Sequence, residues 1–208
     1  MRSKILYVLL CLLPFSLLAQ TRSMTAAEVT AFQKTLQKAT QIQTLSADFM
    51  QYKHMSFMKK PVESTGKIYL KHPDRFSWSY ITPFSYKMVY KDKKVFVREN
   101  GKTKTLDIGN SKQFEKISNL VTSSMRGAGY NEREFAVTYL KKDGANAVKL
   151  VPKMKDAAKY IKEILLVFAK SDQQVEQVVL TEPSNDYTRF ILKNRKVNAQ
   201  INESVFNL

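Results

Sequence analysis

The sequence predicts a mainly β protein (α+β) whose strands, about eleven in meander order, form one strongly curved or partly closed antiparallel sheet. Three observations carry this prediction. Period-two alternation recurs in short segments from residue 49 onward. Turn residues separate these segments at hairpin distances. Helical spacing occurs only twice, near the N-terminus and in the middle of the chain. Two amphipathic helices must bury their apolar faces somewhere, and the concave side of the sheet is the available surface.

The chain opens on a targeting signal. Arg2 and Lys4 precede an unbroken apolar run from Ile5 to Leu13. Pro14 breaks the run, and Leu17-Leu18-Ala19 ends on a small residue. This order matches a secretory signal peptide, and the run is shorter than the roughly 20 residues of a membrane span. Residues 1–19 are therefore expected to be removed, leaving a single domain over 20–208 that is exported. Cleavage removes Arg2 and Lys4 and no acid, so the net charge falls from +16 to +14. It also removes Cys11, the one cysteine, so the exported chain has neither disulfide nor thiol nucleophile.

The elements follow in order. Thr25-Ala-Ala-Glu28 fits a capping box. Val29, Phe32, Leu36, Ala39 and Ile42 then recur at helical spacing, predicting a helix of about 18 residues. After Leu45 a first strand alternates through Phe49, Gln51, Lys53 and Phe57. Residues 66–71 form a second strand, and residues 75–81 the clearest one. Phe76, Trp78 and Tyr80 share one of its faces, and Arg75, Ser77 and Ser79 the other. Residues 86–90, 94–98 and 103–108 are three more short strands, with turns at His72-Pro73-Asp74, Lys91-Asp92-Lys93 and Asn100-Gly101. Ser111, then Phe114, Ile117, Leu120, Val121 and Met125 predict a middle helix stopped by Gly127-Ala-Gly129. Strands resume at 135–140, 147–151, 160–169, 175–180 and 187–192, with a further one expected at 197–201.

A strong positive charge first points to nucleic acid. Export removes that reading, and the lysines are scattered over many turns instead of one recognition element. Catalytic constellations are missing from the pattern. His54 and His72, the two histidines, have no cysteine or spaced carboxylate beside them, so no metal site is expected. No phosphate loop or Gly-x-Ser-x-Gly elbow is present. Asp48 with Glu63, and Glu132 with Glu134, read as solvated charges. No enzyme activity and no cofactor are expected.

The aromatic face of residues 76–80, with Met88 and Tyr90 on the next strand, leaves two readings open. It is either a plain core under the helices or the wall of a cavity suited to acyl chains.

The order of motifs resembles one known family. Leu45-Ser-Ala-Asp-Phe49-Met-Gln51 follows the first helix. Then come Gly66, Lys71-His72-Pro73 and Arg75-Phe76-Ser-Trp78-Ser-Tyr80, followed by Pro83 and the hairpin around Asp92. Later, Lys149-Leu-Val-Pro152 and Asp186-Tyr-Thr-Arg-Phe190 fall in the expected places. This pattern is similar to the periplasmic outer-membrane lipoprotein carrier family, LolA, over residues 25–206.

The resemblance implies an unclosed β-barrel, helices acting as a lid, and an apolar cavity holding lipoprotein acyl chains. By position, Phe49, Phe76, Trp78 and Met88 line that cavity, with Tyr80 and Tyr90 on the same face. Phe32 and Leu36 of the first helix, and Phe114, Ile117, Leu120 and Val121 of the middle helix, supply the lid. The family's arginine before the proline, which latches the lid, is His72 here, with Arg75 close by. The resemblance further implies a monomeric periplasmic carrier of acylated lipoproteins, loaded by an inner-membrane ABC-type releasing complex and unloaded at an outer-membrane acceptor. The competing reading is a lipid- or lipoprotein-sensing module on the same scaffold.

Overall fold

The structure, a computed structural model, describes residues 21–39, 42–106 and 130–208. The expected signal peptide and the expected middle helix with Phe114, Ile117, Leu120 and Val121 lie outside the described residues. The elements are β1 (Thr21–Ser23), α1 (Ala26–Ala39), β2 (Thr44–His54), β3 (Val62–Lys71), β4 (Arg75–Thr82), β5 (Tyr86–Lys91), β6 (Lys94–Glu99) and β7 (Lys102–Leu106). They continue with β8 (Phe135–Lys142), β9 (Ala145–Pro152), the one-turn α2 (Lys155–Ala158), β10 (Glu163–Phe168), β11 (Val175–Thr181), β12 (Tyr187–Val197) and a 3-10 turn (Glu203–Phe206).

All twelve strands belong to one antiparallel sheet in the order β1-β8-β9-β10-β11-β12-β2-β3-β4-β5-β6-β7. Its two edges, β1 and β7, do not pair, so the barrel stays open. Bulges at Val167/Phe168, Lys193/Lys196 and Thr65/Gly66 bend it. Three two-residue hairpin turns have both central residues in the left-handed region, as this turn type requires. They are Asp92-Lys93, Asn100-Gly101 and Asp143-Gly144.

Three sequence expectations are corrected. The sheet, expected to have about eleven strands, has twelve among the described residues, because β1 forms despite having no apolar alternation. It exists through its edge pairing with β8, Thr21 opposite Lys142 and Ser23 opposite Leu140. α1 is described over Ala26–Ala39, and the chain is no longer helical at Ile42, short of the 18 or so residues expected. Ile42, in phase with the helix, is buried beyond its end. There the Gln43 amide donates to Asn198 Oδ1 at 2.8 Å and the Gln43 carbonyl accepts from the His72 amide at 2.7 Å. Backbone groups that a longer helix would use are thus committed to the strand ends. The strand expected from Tyr160 begins at Glu163, because the Tyr160 and Ile161 amides both donate to the Ala157 carbonyl in the turn that follows α2. The tail strand at 197–201 is absent. Asn198 takes φ +53°, and the chain leaves the sheet to place Phe206 in a fully buried site, the 3-10 turn resting against β4 and β5.

The capping box forms as the sequence predicts. The Thr25 amide donates to Glu28 Oε2 at 2.9 Å, and the Glu28 amide donates to Thr25 Oγ1 at 3.3 Å. Arg22 on β1 adds a bidentate pair to the same carboxylate, at 2.8 and 2.7 Å. The Arg22 guanidinium first, and the Thr25 amide second, hold the Glu28 carboxyl at about 2, below its ordinary 4.5. A lowered carboxyl contributes above its unfolded value and loses that contribution as pH falls through its folded one. Amide exchange at residues 25–29 is therefore expected to accelerate as pH drops from 4.5 toward 2, relative to a Glu28→Gln variant. Equal pH profiles for the two proteins would show that the box does not hold the helix start.

Candidate binding site

The concave face is built by strand parity. Leu45, Ala47 and Phe49 of β2 point inward, as do Ile68 and Leu70 of β3 and Phe76 of β4, and all are buried. Across the sheet, Ile68 stands opposite Trp78 and Trp78 opposite Met88, while Leu70 stands opposite Phe76 and Phe76 opposite Tyr90. The expected set Phe49, Phe76, Trp78, Tyr80, Met88 and Tyr90 thus shares one face and one apolar cluster.

The aromatic rings interlock. Phe49 lies 4.7 Å from Trp78 and 5.3 Å edge-on from Tyr80, centroid to centroid. Phe76 and Tyr80 flank Trp78 at 6.2 and 6.1 Å. One member was not anticipated: Phe190 of β12 meets Trp78 edge-on at 5.3 Å and Phe49 at 6.0 Å. Its place follows from the pairing of β12 with β2, which puts Leu192 opposite Phe49 and Phe190 opposite Gln51.

Gly66 makes this packing possible. It stands directly opposite Phe49 on the neighbouring strand. A Cβ at this position would fall on the Phe49 ring and on the Ser79 carbonyl oxygen. The glycine is a notch that seats the ring.

The face is unevenly covered. Its inward residues on β9 and β10, Val148, Leu150, Ile164 and Leu166, are fully buried. α1 rests near them, with Phe32 edge-on to Phe168 at 4.9 Å and to Tyr139 at 6.3 Å. Leu36 joins the same cluster. Trp78, Tyr80, Met88, Tyr90 and Phe190 also face inward but remain only half-buried.

Few polar groups interrupt the wall. The Tyr80 hydroxyl donates to Gln51 Oε1 at 2.6 Å, and burial pushes the Tyr80 phenol above its ordinary value. Gln33 Nε2 donates to the Tyr139 hydroxyl at 3.1 Å. The Tyr130 hydroxyl is buried without a hydrogen-bond partner among the described residues, and burial raises its pKa. Among the described residues no group of histidine, cysteine or carboxylate side chains is arranged to hold a metal.

The two latch candidates lie elsewhere. Arg75 and Lys71 both pair with Glu203 of the 3-10 turn. Lys71 and Glu203 also line an open cleft of about 710 Å³ with Thr44 and residues 200–202. His72 is exposed at the β3–β4 turn, where its backbone is tied to the segment between α1 and β2.

With this geometry in place, sequence comparison decides the family. The family described as outer membrane lipoprotein carrier protein LolA matches residues 40–208. The chain belongs to the LolA family.

Similar solved structures are distant in sequence. An uncharacterized conserved protein from Thermus thermophilus is 10% identical, with TM-score 0.53, covering 87% of this chain and 93% of that one. A LolA superfamily protein from Nitrosomonas europaea is 9% identical, with TM-score 0.42, covering 85% and 97%. The Mycobacterium tuberculosis lipoprotein LppX is 10% identical, with TM-score 0.46, covering 86% and 99%. The likeness to the Thermus thermophilus protein is one of fold. No curated protein matches the chain in sequence.

Proposed function

We propose that the aromatic face binds the acyl chains of lipoproteins and that the protein, exported after loss of residues 1–19, carries them through the periplasm from the inner to the outer membrane. The observation that carries this reading is the half-burial of inward-facing Trp78, Tyr80, Met88, Tyr90 and Phe190. Side chains that only completed a core would be closed off like Leu150 and Leu166. Membership of the LolA family supports the same reading.

Energetics set the design problem. Acyl chains contribute about 0.8 kcal/mol per buried CH₂, so three chains of about 15 CH₂ each require shielding worth roughly 35 kcal/mol. A carrier that gained all of this could not release its cargo. Displacement of self-filling contacts during loading offsets part of the gain and keeps release feasible. Phe32 and Leu36 of α1, with the middle helix, are the residues proposed to yield. His72 and Arg75, the latter paired with Glu203, are the proposed latch residues. The remaining work is assigned to an inner-membrane ABC-type complex that loads and an outer-membrane acceptor that unloads.

Mass spectrometry of material co-purified from the host tests the ligand class. Acylated lipoproteins in stoichiometric amounts are expected. Free phospholipid alone, or no ligand, would overturn the proposal. Recovery of a signalling protein without lipoprotein would favour the sensing module.

A further inference from the structure

The exposed large apolar side chains of the described residues are not scattered. Phe57 is 79% exposed and Tyr160 is 67% exposed, and Met58, Ile81, Phe84, Val151 and Met154 are also exposed. Phe57 and Met58 sit on the β2–β3 turn, and Ile81 and Phe84 at the β4–β5 turn. Val151 is the penultimate residue of β9, and Met154 and Tyr160 follow on the β9–β10 connection.

The register places all three groups at one end of the sheet. Pro152 closes β9 opposite the start of β8, and Glu163 opens β10 opposite Thr181 at the end of β11. Thr181 pairs with Tyr187, and Tyr187 with His54. Lys53 then pairs with Val62, and Thr65 with Thr82. At the opposite end, the β3–β4, β5–β6 and β8–β9 turns carry no exposed large apolar residue.

Two of the three apolar tips are basic. Lys59 and Lys60 follow Phe57 and Met58, and residues 153–162 carry Lys153, Lys155, Lys159 and Lys162 against Asp156 alone. The acids of the β11–β12 turn, Glu182 and Asp186, lie beside an otherwise polar segment, and Asp186 Oδ1 accepts the Ser56 amide at 2.8 Å. We propose that this rim docks the protein end-on to the surface of an anionic phospholipid bilayer, with Phe57, Phe84 and Tyr160 entering the interface and the flanking lysines meeting lipid phosphates.

Charge and shape favour a membrane over a protein partner. The apolar groups project from separate turns with lysines among them, whereas protein interfaces have packed cores depleted of lysine. Apolar side chains beside lysines suit the bilayer interface, because the lysine stems lie along apolar surface while the ammonium groups reach phosphate. This docking does not depend on which cargo the aromatic face holds.

The test is co-sedimentation of the protein, purified as the host processes it, with vesicles of phosphatidylethanolamine and phosphatidylglycerol, and with vesicles of phosphatidylcholine alone. Binding to the anionic vesicles is expected, and it should collapse in about 1 M salt, where screening acts within about 3 Å. The double variant Phe57→Ser/Phe84→Ser should weaken anionic-vesicle binding by about tenfold or more at unchanged charge and melting temperature. Absence of wild-type binding, equal binding to both lipid types, or an unaffected double variant would each overturn the proposal. Failure here leaves cargo co-purification intact, so it is distinguishable from failure of the carrier reading.

Discussion

Gly66→Ala is expected to destabilise the protein by about 3 kcal/mol, at the top of the range for forcing extra atoms into a packed core. The new Cβ falls on the Phe49 ring and on the Ser79 carbonyl oxygen. The ring could move only by breaking its contacts with Trp78, Tyr80 and Phe190. The carbonyl belongs to β4, so its displacement disturbs the β3–β4 pairing near the bulge at Thr65/Gly66. Urea unfolding measures the loss. Adding Phe49→Leu to Gly66→Ala should recover part of it, since a smaller side chain relieves the ring clash but not the backbone one. A loss under about 1 kcal/mol for Gly66→Ala would mean that Phe49 is not seated as described.

Trp78→Glu should abolish lipoprotein co-purification while leaving the fold in place. Trp78 is half-buried, so a carboxylate there can stay hydrated in the empty protein. Phe76, at 6% exposure, is the poorer choice, because a charge at that site would test folding as much as binding. With acyl chains against the face, the carboxylate must lose its water. That costs at least about 3 kcal/mol, two decades of affinity. Trp78→Phe keeps an apolar ring and should retain most binding. Equal lipoprotein recovery with Trp78→Glu, at matched melting temperature, would remove the face from the binding site.

Local chemistry was legible in the sequence. The Thr25/Glu28 box, the inward parity of Phe76, Trp78 and Tyr80, and the hairpin turns all follow from neighbours a few residues apart. Long-range pairing was not. Phe190 joins the aromatic face only because β12 pairs with β2 across more than a hundred residues, and alternation within either strand says nothing of its partner. β1 is a strand only through β8. Gly66 reads in sequence as an ordinary strand residue, and its role as a seat for Phe49 depends on register. Arg75, near His72 in sequence, is directed by the β3–β4 pairing toward Lys71 and Glu203.

The carrier claim rests on movement of lipoprotein between membranes, which a transfer assay reads directly. Inner-membrane vesicles from the host, bearing labelled lipoprotein and supplied with ATP, are incubated with the protein and then sedimented. Labelled lipoprotein is expected in the supernatant as a complex with the wild-type protein and later in added outer-membrane vesicles, with neither step supported by Trp78→Glu. Lipoprotein that stays in the inner-membrane pellet with the wild-type protein present would contradict it.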